Sequence, residues 1–164
     1  PAMPHLAPKI APCLWFNNNA EEAVEFYNSV FGNVRLVSVI RNGAHGPGPE
    51  GSVLAGAFEI EGQRIEFING GPTFKLTEAV SLAVRCDSQE EVDRLWDALV
   101  AGGGEHSQCG WLKDRFGLSW QIVPRVLYEM HEDPDRTRAD RVMQAMMQMR
   151  KLDISALERA YEGR

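Results

Sequence analysis

The sequence has little from which to build a disulfide framework, a metal centre or a nucleic-acid surface. It holds three scattered cysteines, Cys13, Cys86 and Cys109, with no CxxC pair among its 164 residues. That excludes a disulfide scaffold and a zinc ribbon and points to a reducing cytoplasm. Each cysteine reads as a small buried hydrophobe, not a nucleophile. The four histidines, His5, His45, His106 and His131, form no HxH or HExxH spacing and read as surface or loop residues. Lysine and arginine number 17 against 23 aspartate and glutamate, a net charge of −6. With no basic surplus to release counterions, neither a nucleic acid nor an anionic membrane is an expected partner. No apolar run approaches the roughly 20 residues that span a bilayer, and PAMPHLAP lacks the charged and apolar regions of a signal peptide.

What is present is an ordinary globular composition, 44% hydrophobic and 24% charged, organised around CGWLKDRFGLSWQIVP, residues 109–124. Leu118, Trp120 and Ile122 alternate with Ser119 and Gln121, the period-2 pattern of a half-buried strand after a turn at Asp114 to Gly117. Upstream, Lys9 to Phe16 reads as a strand. Asn19 then caps a helix with Glu22 in the capping-box position. Ala20, Ala23, Val24, Tyr27, Val30 and Phe31 recur at helical spacing up to Gly32. Val34 to Ile40 is a strand, and NGAHGPGPEG is a loop. Val53 to Ile60 and Arg64 to Ile68 pair across a turn at Glu61-Gly62-Gln63.

The order strand, helix, strand, strand, strand then recurs. Ala79 to Cys86 is a strand, Ser88 caps a helix with Glu91 in the box position, and Val92, Leu95, Trp96 and Leu99 form its apolar stripe. A shift of 69 residues carries Asn19 onto Ser88, Phe26 onto Leu95 and Tyr27 onto Trp96, and a shift of 55 carries Gly62 onto Gly117 and Ile65 onto Trp120. Caps, stripe and turn glycine repeat together, so the chain reads as two βαβββ modules of α+β class, 9–73 and 74–124, with a helical extension at 125–164, all in one structural domain.

One helix covers one face of each sheet and leaves the other open. Two such modules side by side present two open faces that can curl into a shared cup. Parity puts Val80, Leu82, Val84, Leu118, Trp120 and Ile122 under the second helix. Ser81, Ala83, Arg85, Ser119 and Gln121 then line the cup. The two shifts transfer that lining to Pro12, Leu14 and Phe16 on the first strand and to Arg64, Glu66 and Ile68 on the fourth.

AEEAVEFYNSVFG, GPGPEGS, FINGGP and CGWLKDRFGLSWQIVP within this paired layout are similar to the PhnB-like branch of the vicinal oxygen chelate superfamily. That superfamily includes glyoxalase I, bleomycin-resistance proteins and extradiol dioxygenases. The resemblance runs from about residue 9 to 160, tail included. It implies a homodimer of paired βαβββ modules and a name the branch has often carried, 3-demethylubiquinone-9 3-methyltransferase. The superfamily's metal enzymes take ligands from the first and last strand of each module. Those positions fall on Pro12, Glu66, Ser81 and Gln121, of which only Glu66 is a competent ligand, so no metal is expected. No methyl-donor cradle is expected either. The turn after the first strand is Asn17-Asn18-Asn19, and Gly102 to Gly104 follow a helix instead of a strand.

The expected function is metal-free and cofactor-free binding of a small molecule. Gln121 and Ser81 would orient the ligand, Phe16 and Trp111 would give an apolar wall, and Arg64 and Arg85 would add charge. Two alternatives stand beside it. Glu66 acts as a general base on a small substrate, or as half of a structural ion pair with an arginine. Or the chain is a structural dimer whose cup is filled by its own side chains, Leu14, Phe16 and Ile68 among them. In the tail, Pro124 and Pro134 break the pattern. Asp135 caps a helix carrying Val142, Met143, Met146, Met147 and Met149, and Asp153 or Ser155 starts the last helix. A methionine stripe of this kind serves as core or subunit contact.

Overall fold

The computed structural model describes residues 7–164. His5 lies outside the described residues. Two compact units divide the chain, one ending at Leu76 and the other beginning at Thr77.

The first unit opens with β1 (Cys13–Phe16), α1 (Ala20–Phe31), β2 (Arg35–Arg41), β3 (Val53–Ile60) and β4 (Gln63–Asn69). Its sheet runs β1-β4-β3-β2, with β1 parallel to β4 and the remaining pairs antiparallel. Glu61 and Gly62 both take positive φ, 47° and 79°. That matches the sheet's twist in a two-residue hairpin and explains the glycine there. Helix α1 lays Ala20, Ala23, Val24, Tyr27 and Val30 onto one sheet face. The Tyr27 ring meets Phe58, which meets Phe67 in turn. Asn19 makes no side-chain cap. The Ala20 amide donates instead to Asn69 Oδ1 at 3.0 Å, so the end of β4 supplies the oxygen that the helix start needs.

The second unit repeats the order with β5 (Ser81–Cys86), α2 (Gln89–Ala98), β6 (Glu105–His106), β7 (Trp111–Lys113) and β8 (Ser119–Pro124), in a sheet ordered β5-β8-β7-β6. Here Ser88 caps the helix as the sequence indicates, and the Glu91 carboxylate reaches back one residue further than a capping box requires. Ser88 Oγ accepts the Glu91 amide, and Glu91 Oε2 accepts the Asp87 amide. Val92, Leu95 and Trp96 are buried, as are Leu112, Leu118, Trp120 and Ile122, and α2 packs on β8 and β5. Asp114, 2% exposed, ties the hairpin. It accepts the amides of Phe116 and Leu118 and the Trp120 indole N–H, at 2.9, 3.0 and 2.9 Å.

Three further helices complete this unit: α3 (Arg125–His131), α4 (Arg136–Met146) and α5 (Ile154–Glu162). Asp135 and Asp153 cap the last two. Val123, Leu127, Met130, Val142, Leu152 and Leu157 form their common core. The extension is anchored to the sheet by backbone bonds from Cys109 to Met149 and from Gly110 to Arg150. Gln89 adds two more, donating to the Leu152 carbonyl and accepting the Ile154 amide.

Candidate functional site

Strand pairing decides which side chains share a face, because neighbours across a ladder point the same way. In the first sheet Cys13 stands opposite Glu66, Leu14 opposite Phe67 and Trp15 opposite Ile68. Leu14 and Phe16 are therefore core residues, 4% and 2% exposed. This corrects the expectation that Pro12, Leu14 and Phe16 line the open face: Cys13 and Trp15 do, and Phe16 is no ligand wall. The cause is a turn one residue longer. Asn17, Asn18 and Asn19 separate β1 from α1, whereas only Asp87 and Ser88 separate β5 from α2. Asn18 absorbs the extra residue at φ 60°. Slipping a strand by one residue flips every side chain, so the strand repeat is 70 residues where the helix repeat is 69.

The open face of the first sheet carries Arg64, Glu66 and Ile68 from β4 beside Cys13 and Trp15. The Trp15 indole N–H donates to the Gly71 carbonyl at 2.9 Å, and its ring meets Phe74 edge-on at 4.9 Å. Gly70 adjoins that ring so closely that a Cβ would lie 2.1 Å from an indole carbon. Arg64 Nε is buried without a hydrogen-bond partner, and no ion pair joins Arg64 to Glu66 among the described residues. Burial, and secondarily the Glu66 charge, push the Cys13 thiol above its ordinary range. Cys13 is exposed and Cys109 half-buried, so only Cys86 is the buried hydrophobe expected of all three. Burial pushes its thiol up to about 12.

On the second sheet the parity holds. Ser81 pairs with Ser119 and Ala83 with Gln121. Trp111 pairs with Gln121 and Lys113 with Ser119, and Glu105 pairs with Lys113. Two cross-strand rows result, Glu105–Lys113–Ser119–Ser81 and Trp111–Gln121–Ala83. Gln121 Nε2 donates to Ser81 Oγ at 2.9 Å. Ser119 is 1% exposed, and its hydroxyl has no partner. A cavity of about 370 Å³ is lined by Ser119, Trp111, Lys113, Glu105 and Glu78, among others. Lys113 Nζ lies 2.5 Å from Glu78 Oε1. This contact raises the lysine and lowers the glutamate from their ordinary values.

The structure thus brings Ser81, Gln121 and Trp111 together. Arg85 is occupied differently, its guanidinium lying 4.3 Å over the Tyr128 ring of α3. Val80, expected beneath the helix, is 58% exposed. His106 is half-buried, stacked 4.2 Å from Trp96 with Nε2 at 2.7 Å from the Trp96 carbonyl oxygen. It is a structural residue, where the sequence suggested a surface one. Lys113, Glu78 and Glu105 were not singled out from sequence. The alternation in WLK and the register onto Ser119 could have flagged Lys113, but nothing in the pattern marks Glu78.

A divalent metal does not fit. With the corrected strand repeat, Ser81 corresponds to Ala11, so the first- and last-strand positions hold Ala11, Glu66, Ser81 and Gln121. That set offers one carboxylate where three or four hard donors are needed. Among the described residues no three His, Cys, Asp or Glu side chains group closely enough to hold an ion.

Paired βαβββ modules, each with its first strand parallel to its last, define the glyoxalase-like fold of the vicinal oxygen chelate superfamily. A family model, 3-demethylubiquinone-9 3-methyltransferase, matches residues 8–123. The PhnB protein of Bacillus cereus, whose name carries the same methyltransferase description, is 35% identical, with 71% of this chain and 99% of that one covered at a TM-score of 0.63. Protein PA1353 of Pseudomonas aeruginosa is 22% identical over 70% of this chain and 95% of its own, with a TM-score of 0.53. A glyoxalase/bleomycin resistance protein from Albidiferax ferrireducens T118 is 15% identical over 69% and 95%, with a TM-score of 0.43. No curated protein matches the chain. The chain belongs to the 3-demethylubiquinone-9 3-methyltransferase-like, or PhnB, family. The family match ends at Val123, so the helical extension, which the sequence resemblance includes, lies outside it. No helix among the described residues is long and apolar enough to cross a membrane.

Proposed function

We propose that the chain is a small-molecule-binding protein of the glyoxalase/bleomycin-resistance fold that holds its ligand without a metal or cofactor. One observation carries this reading: Ser119, whose buried hydroxyl has no partner, lines a cavity together with Trp111 and Lys113, and the Gln121–Ser81 pair adjoins it on the same sheet face. A buried hydroxyl left unpaired costs about 1–3 kcal/mol, a cost that a ligand's polar group would offset. Trp111 offers the apolar wall, and Ser81 and Gln121 retain capacity to orient a ligand. A thermal-shift screen against a metabolite library in EDTA tests the reading. Ligands that raise the melting temperature of the wild type but not of Gln121→Leu support it, and a blank screen refutes it.

A second reading makes Glu66 a base acting on a small substrate, and the family's name favours methyl transfer. For that reading, Glu66 lies on an open face beside Cys13. Against it, the turn after β1 is three asparagines, with no glycine cradle for a methyl donor. Calorimetry with S-adenosylmethionine separates the two, and binding at a 1:1 ratio would favour the enzyme.

We further propose a cytoplasmic homodimer without nucleic-acid or membrane partners, in accord with the absence of any basic surplus. The half-exposed Leu36, Val39 and Ile40 on edge strand β2 support association. Light scattering of the purified chain tests it.

A further inference from the structure

We propose that the cavity of the second unit takes a small aromatic carboxylate, and that Glu78 is a built-in competitor occupying the position of the ligand's carboxylate on Lys113. This rests on the small-molecule reading above and specifies the ligand's chemistry.

Two residues of the cavity lining, Lys113 and Ser119, lie in one cross-strand row, and Ser81 stands next along that row, outside the lining. Ser81 Oγ already accepts from Gln121, which leaves its O–H to donate. Adjacent strands lie roughly 4.8 Å apart, a span over which the two oxygens of one carboxylate can reach both Lys113 and Ser119. Two residues along β7 on the same face, roughly 7 Å away, stands Trp111, positioned to cover a flat apolar ring.

A carboxylate already sits on Lys113. Glu78 comes from the segment before β5, and its side chain is 62% exposed, while that of Lys113 is 41% exposed. An ion pair so open to solvent is weak and is exchanged at little cost. Replacing Glu78 by a ligand carboxylate leaves the local charge unchanged, with Glu105 still facing the ammonium from β6. The exchange gains what Glu78 does not provide, a partner for Ser119 Oγ and a ring against Trp111. The raised lysine and lowered glutamate are what such a resident carboxylate produces.

Benzoate and its neutral isostere benzamide test this by calorimetry and by the NMR shift of the Trp111 indole N–H. Benzoate is expected to bind and to move the Trp111 resonance, with benzamide at least about tenfold weaker, as for loss of a charge-assisted bond. Glu78→Gln should tighten benzoate about two- to fivefold, the worth of an exposed ion pair. Lys113→Met and Ser119→Ala should each weaken it. Glu78→Gln alters an exposed side chain, so the test survives if a buried variant misfolds. Weaker benzoate binding in Glu78→Gln overturns the competitor role. Benzamide binding as well as benzoate, with no effect of Lys113→Met, overturns the carboxylate class and leaves the small-molecule reading standing. Absence of benzoate binding in both wild type and Glu78→Gln overturns the proposal. The small-molecule reading then falls with it only if the metabolite screen is also blank.

Discussion

Cys13 stands opposite Glu66 in the parallel ladder of the first sheet, as Ala83 stands opposite Gln121 in the second. The same register thus holds a thiol facing a carboxylate in one copy and a methyl facing an amide in the other. The carboxylate is one of two reasons that the thiol resists ionisation, burial being the larger. Glu66→Gln removes the charge and leaves the burial, so Cys13 should alkylate faster with iodoacetamide at pH 8. Alkylation rates by mass spectrometry check this, and an unchanged rate would place Glu66 too far away to act.

The Asp114 carboxylate organises the hairpin that carries Lys113, Ser119 and Gln121. Asp114→Ala strands the Trp120 indole N–H and two amides inside the protein. About 3 kcal/mol of stability should be lost, on the scale of unpaired buried donors. Urea unfolding followed by Trp fluorescence measures it. A loss below about 1 kcal/mol would mean that water replaces the carboxylate.

The extension is part of the second unit's core. Leu152 and Leu157 are both fully buried, so Leu157→Ala should cost about 2–5 kcal/mol. Deleting residues 136–164 should lower the melting temperature or dissociate the proposed homodimer. Unchanged mass and melting temperature would contradict the packing described.

His131 makes the extension sensitive to acid. Burial, and then the Arg136 charge, hold its imidazole below the ordinary value of 6.5. In the window between that value and the lower folded one, the unfolded chain binds the proton and the folded chain does not. Stability therefore falls as pH drops through this window and is unaffected by His131 above it. His131→Gln should flatten the melting temperature against pH as the pH falls below the ordinary imidazole value of 6.5, and an identical slope in the variant would exclude the residue.

The modules, their order and the helical tail were legible because alternation, apolar stripes and turn glycines each follow from local geometry. β3 was placed residue for residue, and strand parity put Ser81 and Gln121 on one face, while their hydrogen bond is seen only in the structure. The first strand's facing was lost because one asparagine more in the Asn17–Asn19 turn changes the strand repeat and not the helix repeat. Asn19 looked like a cap, but Asn69, remote in sequence, provides that oxygen. Arg85 and His106 escaped for a similar reason, since Tyr128 and Trp96 reach them through tertiary packing that no local period records. Glu78 lies in a segment without periodicity, so only coordinates connect it to Lys113.

Metal-free ligand binding is tested most directly by the ligand-induced thermal shift of the metal-stripped protein, wild type against the double variant Ser81→Ala with Gln121→Leu. The wild type in EDTA should be stabilised by at least one small molecule, and the double variant, folded at the same temperature without ligand, should not. Stabilisation that appears only when a divalent metal is restored, or that survives unchanged in the double variant, would contradict it.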